Sequence, residues 1–196
     1  MKLIDWLKEL EQSRKAGVKV FAIGELMNLS NGTYDMTRRT IVRLKEKDVL
    51  KPIYRGLWGC GDDITVQDIF LKIDSESYIS MESVLGRSGI IKSVTPDLHC
   101  VSPVRSKMMK TKVGTIVYHK FARKLCFGYD DMHIAIPEKA FLDTIYFHMQ
   151  MGDEIDITGY KMDILNFGLI NKYISVYPKS VKNFIKSSCN FGNVEV

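Results

Sequence analysis

The stretch of residues 21–59, FAIGELMNLSNGTYDMTRRTIVRLKEKDVLKPIYRGLWG, constrains this chain more than any other. Phe21, Ile23, Leu26 and Met27 recur at helical spacing and predict a short helix over about residues 22–28. Ser30-Asn31-Gly32 is a turn signal. A further helix follows over about residues 33–47, with Thr37, Thr40, Ile41 and Leu44 as its inward stripe. Residues 50–59 then read as a hairpin, with Ile53, Leu57 and Trp58 inward and Gly56 free to take a positive φ. Ile4, Trp6, Leu7 and Leu10 predict a helix over residues 2–13 ahead of all this, with Gly17 ending it. Helix, helix, turn, helix and hairpin in this order are what a winged helix-turn-helix requires.

Arg38, Arg39 and Arg43 fall outside the inward stripe, as do Tyr34 and Asp35 at the start of the helix. A recognition helix needs this arrangement, because its early outward residues reach base edges in the major groove. Arginine suits that task, since its planar fork holds guanine O6 and N7 together. The candidate base contacts are therefore Tyr34, Asp35, Arg38 and Arg39. Arg43, Lys45, Lys51, Tyr54 and Arg55 are the candidate backbone contacts, the last three near the hairpin tip, where phosphate contacts position rather than specify. The plainer reading is a solvated basic face.

Charge placement favours double-stranded DNA as the partner. Residues 1–60 hold 12 Lys and Arg against 7 Asp and Glu, while the rest of the chain holds 16 of each, so the whole excess of +5 lies in the first part. Clustered positive charge raises affinity and association rate on a line of phosphates.

Gly61-Asp62-Asp63 reads as a boundary, dividing a DNA-binding domain over 1–60 from a second domain over 61–196. In the second, helices are predicted over 66–73 and 78–89, strands over about 97–101, 114–121 and 132–136, and a helix over about 137–149 opened by Pro137 and Glu138. PVRSKMMKTK reads as a basic loop that contacts nucleic acid or an acidic partner, or is simply solvated. A last helical region over 160–187, broken near Tyr177-Pro178, carries Lys161, Lys172, Lys179, Lys182 and Lys186. The fold expected is α+β.

Several functions lack support. Cys60, Cys100, Cys126 and Cys189 form no C-x-x-C pair; His99 beside Cys100 offers two possible ligands, but His119, His133 and His148 show no metal spacing, so idle thiols and no metal are expected. No nucleotide-binding glycine motif, cofactor site or nucleophile–base phrase is present, and a non-enzymatic protein is expected. Glu138-Lys139 has the residue types of a metal-dependent nuclease, but a first-turn glutamate accounts for it more simply. No apolar run reaches membrane-span length, and charges at Lys2, Asp5, Lys8 and Glu9 interrupt any signal-peptide core, so a cytoplasmic protein is expected.

Three segments resemble the AbiEi family of type IV toxin–antitoxin (abortive infection) systems. They are the 21–59 stretch with its arginine-glycine-aromatic ending, SYISMESVLGRSGII, and IPEKAFLDTIYF. The resemblance implies a winged-helix domain that binds inverted repeats in its own promoter and represses its operon. It also implies an antitoxin domain that neutralises a cognate nucleotidyltransferase-like toxin in phage defence, with or without a stable complex. A stand-alone transcription regulator, whose second domain senses a ligand or mediates assembly, is the alternative.

Overall fold

The structure, a computed structural model, describes residues 2–92 and 95–188. It is mixed α+β, with helices and two small sheets. The chain forms two compact units. The first comprises Met1–Ser75 with Met109–Thr115, and the second Glu76–Met108 with the chain from Ile116 onward. The Gly61-Asp62-Asp63 turn therefore lies inside the first unit, not at its edge. Asp63 accepts hydrogen bonds from Arg14 and Lys19 at 2.9–3.2 Å, which ties the turn back to the N-terminal helix.

In the first unit, α1 (Leu3–Lys15) buries Trp6 and Leu10, one turn apart. Ile4, expected in that stripe, is 55% exposed, because it lies about 200° around the helix from Trp6. A short strand, β1 (Val20–Ala22), precedes α2 (Ile23–Ser30), whose first turn is fixed by the Glu25 carboxylate accepting from the Ala22 amide at 2.7 Å. Asn31 turns the chain in the left-handed region. Thr33 then caps α3 (Tyr34–Glu46), its hydroxyl accepting from the Met36 amide.

The hairpin of β2 (Lys51–Tyr54) and β3 (Leu57–Gly59) turns at Gly56, at φ +74°, which a side chain would resist. The sheet order is β1-β3-β2, so β2 is an edge. Trp6, Leu10, Phe21, Leu26, Ile41, Leu44, Leu50 and Cys60 form the core beneath it. The helix expected over 66–73 is a 3-10 turn, Val66–Asp68, followed by the single turn α4 (Phe70–Ile73).

The second sheet has the order β4-β5-β7-β6, with β5 (Leu98–Ser102) and β7 (Gly114–Lys120) parallel. The helix expected over 78–89 divides into β4 (Tyr78–Ile79), paired to β5, and α5 (Glu82–Arg87). Between them Met81 takes φ +56° and ψ −139°, a region normally left to glycine, which ends the strand and starts the helix abruptly. The basic segment expected as a loop contains β6 (Lys107–Thr111), with Met109 inward. Residues 132–136 make isolated bridges, Ile79 to Ile134 and Tyr129 to Ala135, rather than a strand. α6 (Pro137–Met151) ends at left-handed Gly152, and α7 (Phe167–Ile174) and α8 (Lys179–Ser188) follow, parted at Pro178.

Candidate nucleic-acid interface

On α3 the inner face is Thr37, Ile41 and Leu44, all buried, with Thr40 half-buried and bonded to the Met36 carbonyl. The other face is solvent-exposed. It presents Tyr34, Asp35, Arg38, Arg39, Arg43 and Lys45, together with the aliphatic Val42. Among the described residues no carboxylate pairs with Arg38, Arg39, Arg43 or Lys45. Arg14, Lys15, Lys19, Lys51 and Lys72, by contrast, each have an acidic partner in the same unit. Among the described residues α3 thus carries four cations without a carboxylate partner, more than any other element of the unit. Such a face meets phosphate and base edges without first breaking an ion pair.

At the hairpin, Arg55 is exposed at the tip, free of any partner among the described residues, and Tyr54 is half-buried beside it. Lys51 is different. Its ammonium sits 2.5 Å from Asp62 and 3.3 Å from Asp48, and the hydrogen bond to Asp62 is the main reason its pKa is raised. A phosphate would have to compete with two carboxylates for Lys51, and with none among the described residues for Arg55.

The second unit holds two polar clusters. The first grows from α6. Lys139 and Asp143, four residues apart on one helix face, are both fully buried and form an ion pair. The Lys139 ammonium also donates to the Tyr78 and Tyr177 hydroxyls at 2.8 Å each, so all three of its N–H bonds are used. Asp143 accepts in turn from Tyr177 at 2.7 Å, Tyr78 at 3.0 Å and Ser80 at 2.7 Å. The rings of Tyr78, Phe127 and Tyr177 stand about the ammonium. Burial pulls Lys139 below the usual lysine range, opposed by the Asp143 charge. Burial, reinforced by that same charge, pushes Tyr78 and Tyr177 far up. Glu138 accepts from the Asn166 amide at 2.8 Å, and the Asn166 side chain caps α7. Glu138 stands in the first turn of α6, as expected, and both it and Lys139 have partners within the fold.

The second cluster was not visible in the sequence. His99 (β5), His119 (β7) and His148 (α6) converge with Glu82 at the start of α5. His99 Nδ1 lies 3.0 Å from His119 Nε2 and 3.5 Å from Glu82 Oε2, and His148 Nε2 lies 3.7 Å from Glu82 Oε1. His148 Nδ1 is held by Asp153 at 2.9 Å. Glu82 Oε2 is buried without a hydrogen-bond partner. Burial, then the neighbouring His99 and His148, lowers His119 to about 4, so this ring is neutral at pH 7. No group of three or more such side chains among the described residues is placed to hold a metal ion.

Cys60 and Cys100 are buried, and burial raises the partly exposed Cys126 thiol to about 11, where it is unreactive at neutral pH. Cys189 lies outside the described residues. Among the described residues no helix is long and apolar enough to cross a membrane. No protein-family model matches the chain, and no curated protein gives a significant match.

Proposed function

We propose that the first unit acts as a winged helix-turn-helix, that the chain represses its own operon by binding repeats in its promoter, and that it serves as the antitoxin of a type IV pair. One observation carries the DNA-binding reading. The cations left without carboxylate partners on α3 (Arg38, Arg39, Arg43 and Lys45) share the exposed face of the helix that follows the Ser30-Asn31-Gly32 turn. In this reading Arg38, Arg39, Tyr34 and Asp35 meet bases, Arg43, Lys45, Tyr54 and Arg55 meet phosphates, and the β2–β3 hairpin is the wing. The chain carries out no catalysis and works in the cytoplasm. The antitoxin role is supported by the resemblance of three segments to the AbiEi family, and the partner is a nucleotidyltransferase-like toxin encoded alongside.

Fluorescence anisotropy on the upstream DNA and on a scrambled duplex, across a salt series, tests the first part. Selective binding, with log K falling by about 0.9 per phosphate contacted for each log unit of salt, is expected. Equal and weak binding to both duplexes would refute it. Co-expression tests the second part. An Arg38→Ala/Arg39→Ala protein should lose promoter repression and still rescue cells expressing the toxin. Failure of the wild-type chain to rescue them removes the antitoxin role.

The second reading, a stand-alone regulator with a ligand-responsive second unit, is favoured by the Glu82 cluster. A buried carboxylate oxygen that accepts no hydrogen bond, beside three histidines and next to the strained Met81, is where a small ligand's donor group would be accommodated. Absence of a nucleotidyltransferase-like gene beside this one decides for that reading.

A further inference from the structure

The basic segment after β5 supplies part of the first unit. Its tip, Met109–Thr115, belongs to that unit although the residues on either side belong to the second. The attachment is specific. The Lys112 amide donates to the Ile53 carbonyl at 3.3 Å, on the outer edge of β2. Gly114, at φ +134°, lies so close to Val66 that an added Cβ would stand 2.9 Å from its Cγ1. Thr111 closes the turn internally, accepting from the Val113 amide at 3.2 Å and donating to the Gly114 carbonyl at 2.7 Å. The tip thus bonds to the free edge of β2 at Ile53, two residues from Arg55 at the hairpin tip.

The attachment also places charge. Lys110 and Lys112 are exposed, and among the described residues neither has a carboxylate partner. Lys112 and Lys45, the last cation of α3 read as a phosphate contact, line the same cavity of about 390 Å³. The acids in that cavity, Asp48 and Asp62, are taken by Lys51. The cations left over at this rim are Lys45 and Lys112. The sequence left open whether this segment contacts nucleic acid or an acidic partner or is simply solvated, and the tip lies beside β2 with both lysines exposed.

We propose that Lys110 and Lys112 form a second phosphate-contacting element of the DNA-binding unit, flanking the hairpin and supplied from outside the contiguous N-terminal sequence. The inference rests on the DNA-binding reading above. The ligand is the backbone of duplex DNA, because the tip offers flexible ammonium groups, which meet phosphate as point charges, while the Thr111 hydroxyl is used within the turn itself. The tip therefore adds affinity without adding selectivity.

The test is anisotropy with the full-length Lys110→Gln/Lys112→Gln protein on the upstream and scrambled duplexes, across a salt series. Both affinities should fall by the same factor, leaving their ratio unchanged. The slope of log K against log salt should become shallower by roughly 1.8, at about 0.9 for each lost phosphate contact. A Lys107→Gln/Lys124→Gln protein removes the same net charge outside the tip and should keep the wild-type slope. An unchanged slope in the tip variant overturns the proposal, and so does an equal loss in the control. If Arg38→Ala relaxes selectivity in the same assay, the DNA-binding reading survives without the tip. If the wild-type protein shows no salt-dependent binding at all, that reading fails first.

Discussion

Lys139 and Asp143 stand one helical turn apart and are sealed from water, and every polar hydrogen of the lysine ammonium has a partner. Such a pair stabilises only while complete, since removing one member leaves a buried charge uncompensated. Asp143→Leu should therefore cost about 3–5 kcal/mol, and Lys139→Met a similar amount. The double variant Lys139→Met/Asp143→Leu should cost clearly less than the sum of the two. Urea unfolding followed by near-UV circular dichroism reads this, and strict additivity of the two losses would show that the residues do not act as a pair.

Tyr177→Phe removes one donor to Asp143 and one acceptor for Lys139 while keeping the ring. A loss of about 1–3 kcal/mol is expected in the same unfolding experiment, because two buried polar groups each lose a partner. No measurable change would mean that water or another group replaces the hydroxyl.

His119 gives the second unit a defined response to acid. Its folded pKa, about 4, lies below the ordinary histidine value of 6.5, so the unfolded chain takes up a proton that the folded one refuses. The stability from keeping this ring neutral is present in full above pH 6.5. It is lost progressively as pH falls from there towards 4, by roughly 3 kcal/mol in all. His119→Gln should flatten that part of the stability–pH curve between pH 6.5 and 4.5. A slope identical to wild type would place the acid sensitivity elsewhere.

Arg38 and Lys51 should behave oppositely on DNA. Arg38→Ala should cost about 1–3 kcal/mol on the preferred duplex and relax selectivity. Lys51→Gln should change affinity by less than the Arg55→Ala variant does, because Asp48 and Asp62 already hold that ammonium. Arg55→Ala itself should weaken all duplexes alike. A Lys51→Gln loss larger than that of Arg55→Ala would show that the two aspartates release the lysine on binding.

The two faces of α1 give a direct stability contrast. Leu10→Ala, inside the core of the first unit, should cost about 2–5 kcal/mol. Ile4→Ala, on the exposed face, should stay within about 0.5 kcal/mol. Thermal unfolding separates the two readily.

What the sequence disclosed depended on the range of the interactions involved. α2, α3 and the β2–β3 hairpin could be placed within a few residues, because Asn31, Thr33 and Gly56 fix their ends locally. β1 escaped notice since three residues carry no periodicity, and Tyr78-Ile79 was absorbed into a helix because the strand exists only through pairing with β5. β6 was obscured by methionines and lysines, which favour no strand, with only Met109 marking its inner side. The Glu82 cluster gave no signal at all, since its histidines come from three elements that only the sheet and α6 bring together. The burial of Lys139 was equally hidden. Lysine is almost never fully buried unless paired, and the hydroxyls that make it possible, on Tyr78 and Tyr177, lie far away in sequence.

The tip at Met109–Thr115 makes the first unit discontinuous along the chain, and this imposes an order on biosynthesis. When Ser75 leaves the ribosome, the edge of β2 is still bare, and it stays so while Glu76–Met108 is made. At about 5–20 residues per second that interval lasts a few seconds. A nascent chain in this state carries α3 and the hairpin but lacks the bond that the Lys112 amide makes to the Ile53 carbonyl on that edge. A gene fusion that transplants residues 1–75 alone would make that transient state permanent.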